Sequence, residues 1–109
     1  MQFRQGDVFL ELIEDAASVE GEMGEAVPRD AGRVVLAYGE ATGHAHAIRS
    51  EHAMLYRSKA ANADRFLRVV RPVSLLHEEH SKIALAPGLY RVRRQIEWSD
   101  ADEPRVVAD

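Results

Sequence analysis

Short apolar runs with period-two alternation dominate this chain. After Gly6, residues 7–13 (DVFLELI) place Val8, Leu10 and Leu12 on one face, which predicts a strand. Residues 33–38 (RVVLAY), 44–49 (HAHAIR), 53–57 (AMLYR), 65–70 (RFLRVV), 73–76 (VSLL) and 82–85 (KIAL) predict further strands. The last, 89–98, alternates most clearly: Tyr90, Val92, Ile96 and Trp98 fall on one face, Leu89, Arg91, Arg93, Gln95 and Glu97 on the other. Gly39–Gly43 and Pro87-Gly88 are turn signals. Between 14 and 32 the pattern lapses into acidic residues, glycines and a proline, which predicts a long loop with at most one helical turn. No long amphipathic helix is expected. Seven or eight short strands joined by glycine and proline turns predict an all-β fold, a small barrel or sandwich of antiparallel strands, cupin-like at best. One domain over 1–99 is expected, with 100–109 a charged, frayed tail.

Composition narrows the chemistry. The chain has 109 residues, 14 Lys+Arg against 18 Asp+Glu, and a net charge of −4, so a globally basic nucleic-acid binder is disfavoured. Cysteine is absent, which excludes disulfides, thiolate nucleophiles, Cys-type zinc fingers and iron–sulfur clusters. No run reaches the length of a membrane span, and the first seven residues carry no apolar signal core. A cytoplasmic protein without membrane contact is the expectation.

Four of the five histidines lie in two tight pairs. In His44-Ala45-His46 the imidazoles project from one strand face and can share a metal ion, while the small Ala45 and Ala47 leave the other face lightly packed. In His77-Glu78-Glu79-His80 the three-residue spacing suits a turn. If the turn lies beside the strand, His44, His46, His77 and His80 converge on a divalent ion, zinc first, with iron, nickel or manganese also compatible. Glu78, Glu79 or Glu40 would supply a carboxylate, as ligand, as support or as general base, and Glu78 and Glu79 are the candidate catalytic pair. His52 reads as a surface residue. The bland alternative is that the histidines cap turns and the glutamates are solvated. The zincin HExxH is not present, because Ser81 stands where its second histidine belongs.

A second cluster is basic: Arg65, Arg68, Arg71, Arg91, Arg93 and Arg94. Arg91, Arg93 and Arg94 could receive a small anionic ligand, but a solvated face balanced by the acidic 14–25 segment is the simpler expectation. Arg94 falls on the apolar face of its strand, so it belongs at a rim or beside a carboxylate. No GxSxG elbow, P-loop or GxGxxG fingerprint is present.

Two resemblances follow from these motifs. Gly39–His46 (GEATGHAH) is similar to the opening of the first cupin motif, and LAPGLYRV at 85–92 to the turn and strand common in that fold. That resemblance implies a small metal-binding β-barrel with His44 and His46 as ligands; no glutamate follows His46 at the cupin spacing, and His77 and His80 precede Pro87-Gly88 rather than follow it. The order Gln5-Gly6-Asp7, GEATGHAH, HEEH and PGLYRV resembles a family of small bacterial and phage proteins with no assigned activity, and implies a compact stand-alone module.

Three functions remain open at this point. The first is metal binding by the histidine cluster, with catalysis if one coordination position stays open. The second is a metal-independent phosphodiesterase using histidines as acid and base. The third is an interaction module, such as a homo-oligomer.

Overall fold

The computed structural model describes residues 1–39, 43–60, 64–94, 96–98 and 104–106, the last two stretches as backbone only. The chain starts with a hairpin of β1 (Gln2–Gln5) and β2 (Val8–Leu12). Its two-residue turn has Gly6 first, at φ 57°, which is the positive φ that a primed hairpin turn requires there. A 3-10 helix (Ala16–Glu22) and β3 (Met23–Ala26) follow. Next come β4 (Val34–Tyr38), β5 (Ala45–Ile48), β6 (Ala53–Ser58), β7 (Arg65–Val69) and β8 (Val73–Leu76). The chain continues through β9 (Ile83–Leu85), β10 (Gly88–Arg94), β11 (Ile96–Trp98) and β12 (Pro104–Val106).

These strands form two main antiparallel sheets. One has six strands in the order β1-β2-β10-β7-β6-β3; the other has four, β4-β5-β8-β9. β11 and β12 pair separately, so part of 100–109 is a strand. The expected all-β class holds, but the closed barrel that the cupin likeness implied does not form. Among the described residues both sheets keep free edges, at β1 and β3 and at β4 and β9. The two sheets share one apolar core, built from Val8, Leu10, Leu55, Leu67, Val69, Tyr90 and Val92 on one side and Val34, Leu36, Ile48, Val73, Leu75 and Leu85 on the other.

The 14–32 segment departs from a plain loop. Val19 packs with Phe66 and Leu89 on the opposite face of the six-stranded sheet, joined by Ile13, Ala16, Met23 and Tyr56. β7 is therefore apolar on both faces: Leu67 and Val69 enter the main core while Phe66 lies under the 3-10 helix. β1 was not legible either, because Gln2-Phe3-Arg4-Gln5 is an edge strand with one apolar residue. Arg65 crosses between the sheets and donates to the Leu36 carbonyl; burial, and then Arg94 nearby, push its pKa down.

Candidate metal centre

The two histidine motifs meet because β5 pairs with β8. The observed register sets Ala47 opposite Leu76 and Ile48 opposite Leu75. Continued beyond the end of β8, it sets His46 opposite His77, Ala45 opposite Glu78 and His44 opposite Glu79. The side chains agree. The His46 and His77 ring centroids are 4.3 Å apart. The Ala45 N–H donates to Glu78 Oε2 at 3.0 Å, and His44 Nδ1 stands 3.8 Å from Glu79 Oε1. His77 lies edge-on to His44 at 5.6 Å and 4.7 Å from His80. All four predicted histidines thus gather at one end of the four-stranded sheet.

They are not equivalent. Donor atoms of His44, His77 and Glu78 lie within 4.8 Å of one another. The Ala45 N–H, then Glu78's own N–H, hold the exposed Glu78 carboxyl below its usual range, with smaller help from His77 and His44. Its ionised form, the one a cation needs, is thereby favoured. His77 Nδ1 accepts from the Glu79 N–H at 3.0 Å. The buried Nε2 of His80 has no hydrogen-bond partner among the described residues, which is uncommon for a buried nitrogen. Glu79 is exposed and stands by His44. Glu40 lies outside the described residues, and His52 is half-exposed beside Glu51, 3.8 Å away.

His46 belongs to a different structure. It is fully buried, with Nδ1 2.8 Å from Gln5 Oε1 and Nε2 3.3 Å from Asp7 Oδ1. Gln5 Nε2 donates to the carbonyls of Leu75 and Ser81, both at 3.0 Å, which fixes the amide with its oxygen toward His46. Nδ1 therefore carries a proton. Asp7, also fully buried, accepts from Arg94 Nε at 2.8 Å. Arg94, on the apolar face of its strand, thus has the carboxylate partner that its position called for. Both ring nitrogens of His46 face acceptors, so its geometry suits a support for His77 better than a metal ligand. Gln5 and Asp7 carry no metal-ligand spacing; the only sequence signal at them was Gln5-Gly6-Asp7 itself.

Gly43, at φ 85°, delivers the chain into His44. Gly43→Ala is expected to cost about 1–2 kcal/mol in urea unfolding, because an L-residue is strained at that φ; an unchanged midpoint would refute this.

In the other basic cluster, Arg91, Arg93 and Arg94 have carboxylate partners. Arg91 and Arg93 reach Asp64 at 3.3 and 3.2 Å, and Arg91 lies 3.8 Å from Glu22 in the acidic segment. With Arg94, Gln2, Phe9, Leu10 and Glu11 they line a pocket of about 310 Å³. Among the described residues no helix is long and apolar enough to cross a membrane.

The fold and the cluster together define a two-sheet antiparallel β protein with a histidine–glutamate group at one sheet end. The chain matches, over residues 4–95, the model of the family described as Domain of unknown function (DUF8820), and it belongs to that family. No curated protein and no solved structure gives a significant match.

Proposed function

We propose that this protein binds one divalent metal ion through His44, His77 and Glu78, with zinc the first choice. The carrying observation is the convergence of their donor atoms within 4.8 Å. Ligands of a tetrahedral zinc stand about 3.3 Å from one another. The remaining contraction falls on side chains past the end of β8, one of them the exposed Glu78. Two histidines and one carboxylate are a donor set found in catalytic zinc sites, where a fourth position stays open. His80, with its orphaned Nε2, is the protein's own candidate for that position; a water is the other. If His77 coordinated through Nδ1, that nitrogen would give up the Glu79 N–H it now accepts from. Glu79 would then orient His44 or accept a proton from a metal-bound water. His46 would serve as packing and hydrogen-bonded support for His77. Iron, nickel and manganese fit the same donors less selectively.

The test is elemental analysis of untagged protein incubated with each ion and desalted. About one equivalent of zinc is expected in the wild type, and far less in His44→Ala and in Glu78→Gln. No retained metal, or equal retention in both variants, would overturn the proposal.

A further inference from the structure

The outer face of the four-stranded sheet carries a pocket of about 200 Å³ that reaches the proposed centre. Its floor is Ala45 and Ala47, its walls are Arg33, Arg49 and Leu76, and its end is His77 and Glu78. We infer that this pocket binds a small oxyanion, phosphate or carboxylate, between the Arg33 and Arg49 guanidiniums.

The strand register supplies the argument. β4 and β5 pair with Val34 opposite Ile48 and Val35 opposite Ala47. One step further, Arg33 stands opposite Arg49. Like charges directly across an antiparallel pair are destabilising unless something neutralises them. Arg33 has a partial counterion: its Nη2 is 3.6 Å from Asp30 Oδ2 and its Nε donates weakly to the Asp30 carbonyl at 3.4 Å. That same carboxylate oxygen accepts from the Tyr38 hydroxyl at 2.5 Å, so it is shared. Arg49 is exposed and makes no hydrogen bond or ion pair among the described residues. The alanine floor leaves the room that larger side chains at 45 and 47 would fill. A guanidinium pair over such a floor suits a planar or tetrahedral oxyanion, which arginine holds through paired hydrogen bonds. The volume lies below the ~300–1,000 Å³ of pockets that enclose drug-sized ligands, so the anion is small or is the end of a larger molecule. The anion's role as a substrate group rests on the metal proposal above, because the pocket ends at His77 and Glu78; its affinity for the arginines does not.

The experiment titrates inorganic phosphate and, separately, acetate into metal-free and zinc-loaded protein by calorimetry. The variants are Arg33→Gln, Arg49→Gln, and Arg71→Gln as an exposed control outside the pocket. Saturable binding of either anion, weakened about tenfold or more by each pocket variant and unchanged in Arg71→Gln, upholds the inference. Which anion binds more tightly separates phosphate from carboxylate. Absence of binding by both anions overturns it, as does an equal loss in Arg71→Gln. Binding that requires zinc and survives both pocket substitutions also overturns it, while leaving the metal centre intact. Arginine-dependent binding in a protein that takes up no metal upholds the pocket and removes the metal proposal alone.

Discussion

Asp7→Ala is expected to lower folding stability by about 1.5–3 kcal/mol, because it removes a buried carboxylate that accepts a charge-assisted hydrogen bond from a partly exposed arginine. Asp7 is fully buried, and its two oxygens face Arg94 at 2.8 Å and His46 at 3.3 Å. Without the carboxylate, His46 keeps its contact with Gln5 and loses the one with Asp7. Arg94 retains its donation to the Tyr38 carbonyl at 2.9 Å and is partly exposed, which limits the cost on its side. A domain at the low end of ordinary stability, about 5 kcal/mol, would be left with about half of it. Chemical unfolding by urea with two probes checks this, and a loss below about 1 kcal/mol would show that the pair contributes little. Asp7→Asn, which keeps the shape and one acceptor, should cost less.

Zinc at one hundred times its dissociation constant is expected to stabilise the wild type by about 2.7 kcal/mol, provided the unfolded chain binds it weakly. For a chain of this size that is a rise in melting temperature of roughly 10 °C. His77→Ala should abolish the rise, because His77 joins Glu78 and His44 in the donor group. A chelator should return the wild type to the metal-free value. An equal rise in His77→Ala would place the ion elsewhere, and no rise in the wild type would argue against a native-state site.

The pattern of residues made some of this legible and left the rest hidden for physical reasons. Short apolar runs, several of them alternating, identified β2 and β4 through β10, because each buries at least one face of a sheet. The pattern missed β1, whose edge position tolerates polar residues, and within the 14–32 loop it allowed one helical turn but neither the full 3-10 helix nor β3, since a short helix and a four-residue bulged strand produce no periodic signal. His44 and His46 were legible as same-face residues, and His77–His80 as a turn. Their meeting was not, because it depends on β5 pairing with β8 across some thirty residues, and local sequence does not encode that choice. The difference in surroundings between His44 and His46 was also hidden. It is decided by Gln5 and Asp7, on a different hairpin from the far end of the chain. Arg94 was half legible: an arginine on an apolar face called for a carboxylate, but not for Asp7 in particular. The pairing of Arg33 with Arg49 needed the β4–β5 register, although the small residues at 45 and 47 already marked a thinly covered face.

The β5–β8 ladder has one more consequence. Side chains alternate faces along a strand, so a slip of one residue would invert every partner past Leu76. Glu78 would come to lie across from His46, His77 would turn out of the sheet interface, and the donor atoms would scatter to opposite sides. On the proposed reading, metal binding therefore depends on the correct notch as well as on the donor residues. If the proposed centre forms, an ion that joins His44 to His77 and Glu78 would favour the correct notch during refolding, a proofreader for that alignment.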